Sequence, residues 1–389
     1  MDKMSLVYLA SDVFFKGGIE RYSRSQIRAL RTLFQDSAVH VFSYQAPDEN
    51  AFEVPFPVEF HGGGSGRFKK GLFSIQVLMR LIRIKPDLIW VNHIHLLPIA
   101  YIYRLFCRGQ RIALNVYGLE IWSGLSWIEK IALKQVELII ADCHFTAQYV
   151  IDEIGLPKDQ VHVIWDPVDT ERFYPNTANT RAIKSRYHLD GIEDAFILMI
   201  LGRISTASRH KGYDRLIDLM HGLIDEDIVL IIGGDGNDRE RLQARVDDES
   251  LRGKVFFTGS VPETDLPDIY QLADVFILVS DRGIARGEGI PLTPLEAASC
   301  GKPIIVGDQD GSKEAVQEGE NGFIVSPDAP ETLKTRVLTL YNDLELRRKM
   351  GQRAREIILE DFSFQVFLSR HRDILHDSLE NPSEKRILS

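Results

Sequence analysis

Short apolar segments of four to six residues recur along the chain, with longer stretches of helical periodicity between them. Five lie in the first half, at Leu6–Ala10, Val39–Ser43, Leu88–Asn92, Ile112–Val116 and Leu138–Ala141. Five lie in the second, at Phe196–Leu201, Val229–Ile232, Val255–Thr258, Val275–Val279 and Pro303–Val306. Helices are predicted at Ile19–Leu33, Phe73–Ile84, Pro98–Phe106 and Thr146–Ile154, then at Tyr213–Leu223 and Arg239–Val246. Strands that alternate with helices point to α/β architecture, with parallel sheets covered by helices. The polar stretch from Asp169 to Arg181, with Pro175, Asn176 and Asn179, reads as a linker. The chain is therefore read as two doubly wound domains, 1–172 and 173–362. Residues 363–389 supply a last helix, Phe364–Leu379, capped by Ser363 and crossing back to the first domain. Ligands of such folds bind at the C-terminal ends of the strands, in the cleft that two facing domains would leave.

The chain of 389 residues is long enough for two such domains. Cys107, Cys143 and Cys300 are scattered and odd in number, which suits reduced cytoplasmic thiols rather than disulfides or a zinc site. No leader is read at Met1-Asp2-Lys3, and no apolar run approaches a bilayer span of roughly 20 residues. The net charge of −10 is uneven: residues 1–170 hold 18 basic and 18 acidic side chains, so the remainder carries all of it. Between His61 and Arg111 stand Arg67, Lys69, Lys70, Arg80, Arg83, Lys85, Arg104, Arg108 and Arg111, against Asp87 alone. Such a cluster suits an anionic membrane, or is a solvated helix face. The acidic overall balance argues against nucleic acid.

Glu288 and Glu296 stand eight positions apart in GEGIPLTPLEAASCGKPIIV. Thr293 is a good N-cap, Pro294 suits the first helical position, and Glu296 follows three residues after the cap. Thr293-x-x-Glu296 is thus a capping box, which accounts for Glu296 without a ligand but leaves Glu288 unexplained. Lys16-Gly17-Gly18 joins the first strand to the first helix; it allows close approach of a phosphate, or is a simple turn. Arg203 and Lys211 follow the first strand of the second half and suit a diphosphate, Arg as a fork and Lys as a point charge. Ile231-Ile232-Gly233-Gly234-Asp235-Gly236 is a strand running into a glycine turn. Val261 follows another strand end, where its backbone can read the edge of a base. Tyr117-Gly118-Leu119-Glu120 ends a strand of the first half. His93 and His95 lack a clustered third ligand, and Asp308-x-Asp310 reads as a turn, so no metal is expected.

In order, KGGIERYSRSQIRAL, GRISTASRHKGYDRLI, IIGGDGNDRERL, FTGSVPETDLPDIYQLADVFILVS and GEGIPLTPLEAASCGKPIIV resemble glycosyltransferase family 4, the retaining nucleotide-sugar transferases of GT-B fold. The resemblance covers nearly the whole chain, and the last segment is similar to the family's Glu-x7-Glu motif. It implies two Rossmann-like domains, with a sugar donor on the second and an acceptor on the first. Arg203 and Lys211 would then hold the donor diphosphate, Glu296 the ribose hydroxyls, and Glu288 would face the donor sugar. Backbone groups of Gly289, Ile290, Pro291, Leu292 and Thr293 would meet sugar and phosphate. Val261 would contact the base, and Gly18 would lie beside the phosphate. Glu20, Tyr117 and Glu120 are the acceptor-side candidates.

Three departures stand out. Tyr117 replaces a usual His, Pro291 a usual Gly, and the loop from Arg203 to Lys211 is long. The resemblance implies transfer from a UDP-sugar, UDP-glucose first and GDP-mannose next, to a glycan or lipid-linked acceptor in bacterial envelope or exopolysaccharide synthesis. It implies no metal or other cofactor, and a cytoplasmic protein, peripheral on the inner face of the membrane. A GT-B sugar-nucleotide epimerase, a phosphorylase and a catalytically silent nucleotide-sugar-binding protein are the alternatives.

Overall fold

Continuous apolar runs become the central strands of two sheets, because helices cover both faces of each. The computed structural model describes residues 4–49, 51–62, 66–107, 109–176, 180–189, 191–192, 194–283 and 287–380. The chain divides into two compact units, Met1–Pro167 with Phe364–Ser389, and Val168–Ser363.

The first unit holds β1 (Leu6–Ala10), β2 (Val39–Ser43), β3 (Phe60–His61), β4 (Leu88–Val91), β5 (Arg111–Val116), β6 (Leu138–Ala141) and β7 (Val161–Val163). They form one sheet in the order β3-β2-β1-β4-β5-β6-β7, and all pairs are parallel. The second unit holds β8 (Phe196–Leu201), β9 (Ile228–Gly233), β10 (Val255–Gly259), β11 (Val275–Leu278), β12 (Ile304–Gly307) and β13 (Gly322–Val325). Its sheet, also parallel, runs β10-β9-β8-β11-β12-β13. Both orders contain the doubly wound 3-2-1-4-5-6 arrangement, in which the direction of winding reverses between the first strand and the fourth. The α/β reading with two Rossmann-like domains is what the structure shows.

The strands not foreseen are β3, β7 and β13, and each is short. The sequence of β3 is only Phe-His, β7 is Val-His-Val, and β13 opens on a glycine. The first helix after β3 is Arg67–Ile84, six residues longer at its start than the apolar periodicity indicated, because that segment is basic and Phe68, Lys69, Lys70 and Leu72 are exposed. The expected linker is not free chain over its described part. Arg355 donates to the carbonyls of Thr170 and Phe173, and the Ser299 hydroxyl also donates to Phe173, so this segment is packed into the second unit. Residues 177–179 lie outside the described residues.

The C-terminal helix Phe364–Glu380 belongs to the first unit. Phe367, Leu368 and Leu375 are buried there with Tyr22, Ile27 and Leu30 of the helix Gly18–Leu33. His371 lies between Trp90 and Gln26.

Candidate functional site

In the second sheet, β8 and β11 are neighbours whose connections leave in opposite directions. The loops after them meet at the C-terminal edge, where open parallel sheets bind ligands. Three side chains converge there. Lys211 Nζ donates to Glu288 Oε1 at 2.5 Å, and His210 Nε2 lies 2.8 Å from the same oxygen. Lys211 and Glu288 are 17% and 16% exposed. Burial alone would raise the Glu288 carboxyl, but the Lys211 ammonium and the hydrogen bonds from His210 and Lys211 outweigh it, holding the group at about 2. Glu288 is therefore an anion with one oxygen doubly engaged. No hydrogen bond to its second oxygen occurs among the described residues.

Several contacts fix this trio. The Asp281 N–H donates to the His210 carbonyl at 2.9 Å, tying the β8 loop to the β11 loop. Gly212 has φ +88, and a Cβ there would lie 2.5 Å from the Val279 carbonyl oxygen, so only glycine lets the Lys211 turn approach β11 so closely. Asp310, fully buried, accepts from the backbone N–H of Glu288 at 2.9 Å, from the Ser280 hydroxyl at 2.8 Å and from the Ser312 N–H at 3.0 Å. Burial raises its carboxyl, and these bonds offset part of that rise.

Arg203 opens the same β8 loop. Its side chain is exposed and makes no ion pair among the described residues, while its carbonyl accepts from the Tyr213 hydroxyl at 3.2 Å. The glycine turn after β9 supports this loop. Gly234 has φ +123, and a Cβ there would sit 1.9 Å from the Gly202 carbonyl oxygen. The Ile204 N–H donates to Asp235, and the Asp238 N–H to Ile204. Arg209 is clamped by Asp238, which two arginines, Arg241 and Arg209, hold well below the usual carboxylate range.

The capping box is not formed. The helix runs Leu292–Ser299, its N-cap is Pro291, and no side chain caps it. Thr293 lies inside the first turn because the chain turns helical at Leu292, directly after the extended Pro291. Glu296 is buried and accepts from the Tyr270 hydroxyl at 2.7 Å. Gly289 and Ile290 bridge Glu288 to Pro291, and Ile290 is buried. Val261 is buried just beyond β10.

The acceptor-side candidates sit in the first unit. Gly18 is exposed at the start of its helix, with nothing near its α-carbon side, and Glu20 lies two residues on, folded back toward Gly17. Tyr117 is buried: Asn115 Nδ2 donates to its hydroxyl at 3.0 Å, its ring meets Tyr22 edge-on, and burial raises its hydroxyl well above the ordinary value. Glu120 accepts from the Tyr117 N–H at 2.5 Å and so ties down its own turn; burial raises its carboxyl despite that bond. His95 pairs with Glu129 at 2.7 Å, and no group of three or more metal-binding side chains occurs among the described residues.

The structure thus brings Lys211 and Glu288 into contact and sets Arg203 on the same loop. It gives Glu296 to Tyr270, and leaves Tyr117 and Glu120 engaged locally. His210, Asp310 and Tyr270 were missed as members of the site. His210 was signalled only by its place beside Lys211. Asp310 was signalled only by a polar turn after an apolar strand.

A sequence model described as Glycosyltransferase Family 4 matches residues 16–172, and one described as Glycosyl transferases group 1 matches residues 190–357. Mannosylfructose-phosphate synthase of Agrobacterium fabrum is 30% identical over 238 residues, 58% of this chain, and the match spans about half (49%) of that protein's length. GDP-mannose-dependent alpha-(1-6)-phosphatidylinositol monomannoside mannosyltransferase of Mycolicibacterium smegmatis is 28% identical over 290 residues, 72% of this chain and 74% of that one. Among solved structures, Anabaena Alr3699/HepE in complex with UDP superposes with a TM-score of 0.78 at 17% identity, covering 96% of this chain and all of the other. Sucrose-phosphate synthase from Thermosynechococcus elongatus gives 0.75 at 19% identity, covering 96% and 98%. At these identities the structural likeness is one of fold.

Proposed function

We propose, for a chain that belongs to the GT-B glycosyltransferases of family 4 and group 1, that it is a retaining enzyme whose second unit binds a nucleotide sugar. The convergence of Lys211, His210 and Glu288 at the β8–β11 switch point, with Arg203 on the same loop, carries this reading. Departure of a nucleoside diphosphate needs positive charge where negative charge develops. Arg203 and Lys211 supply it, and the N-terminus of the helix Leu292–Ser299 adds oriented N–H groups. Glu288, anionic at neutral pH, takes a hydroxyl of the donor sugar on its second oxygen. Glu296 serves the ribose and Val261 the base.

In the retaining step, the acceptor oxygen bonds to the anomeric carbon on the face from which the phosphate leaves. The acceptor's proton passes to the leaving phosphate oxygen. UDP-glucose is the first donor to test. GDP-mannose is the second, because the Mycolicibacterium relative is named for it. The acceptor is a glycan or a lipid-linked glycan. Thermal shift with UDP, GDP, UDP-glucose and GDP-mannose tests the reading: a ligand bound only by the folded chain raises its melting point. A shift with one nucleotide and its sugar is expected, and no shift with any of the four would overturn it.

The first unit offers a membrane-facing surface. On the helix Arg67–Ile84, Phe73, Val77 and Leu81 face inward, while Phe68, Leu72, Ile75, Met79 and Ile82 are exposed. Phe68 is 85% exposed, and Phe106 at the end of the neighbouring helix is 81% exposed. Lys69, Lys70 and Arg83 flank this stripe, and the helix has no acidic residue. A second copy of the chain would set like charges together, so the surface fits an anionic bilayer holding a lipid-linked acceptor. Flotation with anionic vesicles should recover the protein in a salt-sensitive way, and Phe68→Ser with Ile75→Ser should abolish it. Equal recovery with neutral vesicles would count against the assignment. No helix among the described residues is long and apolar enough to cross a membrane.

A further inference from the structure

We propose that His210 is a positioning residue of the donor site, holding the Glu288 carboxylate in place after Lys211 has turned from that carboxylate to the donor diphosphate. The inference rests on the nucleotide-sugar reading above. Lys211 and His210 both engage Oε1 of Glu288, but the two donors differ in kind. Lys211 carries a point charge on a flexible four-carbon stem, and a diphosphate competes for it directly. His210 has a short, planar side chain that is 7% exposed, and its backbone carbonyl is tied to the Asp281 N–H. It cannot follow the phosphate.

The ring's other nitrogen supports the assignment. His210 Nδ1 is buried and has no hydrogen-bond partner among the described residues. Among the described residues the ring is therefore held by one hydrogen bond, from Nε2 to the Glu288 carboxylate, and no second partner draws it away. The two bonds on Oε1 thus divide the work. One comes from a mobile ammonium, and the other from a fixed ring that sets the direction of Oε2. Asp310 fixes the backbone of Glu288 through the Glu288 N–H, so the carboxylate stays aimed when Lys211 moves.

Binding measurements test this without knowledge of the acceptor. His210→Leu keeps the size of the side chain and removes the donor; His210→Gln restores an N–H near the Nε2 position. Titrations would use UDP against UDP-glucose, and GDP against GDP-mannose. His210→Leu should weaken the sugar nucleotide about tenfold, the loss expected for one hydrogen bond to a charged group, and leave the bare nucleotide unchanged. His210→Gln should recover most of that loss. In a Glu288→Ala background, His210→Leu should add nothing, because its effect runs through that carboxylate. Equal weakening of nucleotide and sugar nucleotide, no weakening of either, or an additive double variant would each overturn the proposal. A wild-type chain that binds none of the four ligands would instead overturn the reading beneath it.

Discussion

At the centre of the first sheet, Asn115 on β5 accepts from the indole of Trp90 on β4 at 2.9 Å and exchanges hydrogen bonds with Gln26. Gln26 in turn accepts from the Tyr8 hydroxyl on β1 and meets His371 of the C-terminal helix. At the C-terminal edge of the second sheet, the polar groups are charged instead: Lys211 and Glu288, with Asp310 beneath and His210 beside them. Both networks lie close to the reversal of winding in the same strand order. The first spends its hydrogen bonds on fastening a helix to the sheet. The second leaves one oxygen of an anion and one exposed arginine open, and on that difference rests the proposal that the donor binds the second unit.

The sharpest break of this comparison pairs Asp310→Ala with Asn115→Ala. Each removes the hub of a buried network, and each should cost about 3–5 kcal/mol of stability, because several buried donors or acceptors lose a partner. They should part on function. Asp310→Ala frees the Glu288 backbone and weakens sugar-nucleotide binding, whereas Asn115→Ala leaves the affinity intact. All four tryptophans, Trp90, Trp122, Trp127 and Trp165, lie in the first unit, so their fluorescence in a urea titration reads that unit alone.

Acid should separate the units next. His371 in the folded first unit is pushed down from 6.5 to about 4 by burial, and His93 likewise by burial and by His95. The unfolded chain therefore takes up protons first, and the first unit loses stability as pH falls from about 6.5 to about 4, by on the order of 3 kcal/mol for His371. Glu288 acts in the same sense but over a lower pH window. Held at about 2 against an ordinary 4.5, it contributes stability that is complete above 4.5 and lost as pH falls toward 2. Tryptophan fluorescence at fixed urea should thus respond to acid above pH 4.5. Glu288→Gln should leave that response unchanged.

A smaller effect is expected from Gly234→Ala. The added methyl meets the Gly202 carbonyl oxygen at a positive φ, so the β8 loop must shift, at a cost of about 2 kcal/mol. Nucleotide affinity should fall with it, since Arg203 rides on that loop. Tyr117→Phe should have the least consequence. It removes one bond from Asn115, worth about 1 kcal/mol, and should leave donor binding unchanged. A large loss of donor affinity in Tyr117→Phe would show that the first unit's buried network reaches the donor.

Much of the scaffold was legible because a strand buried on both faces must be apolar along its length. The bounds of β1, β2, β6 and β8 follow from Leu6–Ala10, Val39–Ser43, Leu138–Ala141 and Phe196–Leu201 read as they stand. The short edge strands β3 and β7, and Gly-led β13, lacked that signature. At the site, Lys211 was legible as a charge after a strand end and Glu288 as a loop carboxylate, but their mutual pairing, 77 residues apart in sequence, was not. The capping box misled because Thr293 and Glu296 satisfy its pattern locally, whereas the helix begins two residues earlier and Tyr270 claims the glutamate. Asp310 looked like a turn residue because its bond to Glu288 spans 22 residues and needs the folded β11 and β12 loops.

Calorimetric titration of the wild type and of Lys211→Ala with UDP and GDP tests the central claim most directly. The account predicts that the wild type binds one of the two nucleotides, and that Lys211→Ala, still folded by its circular dichroism, loses at least a hundredfold in affinity. Undiminished binding by Lys211→Ala would contradict it.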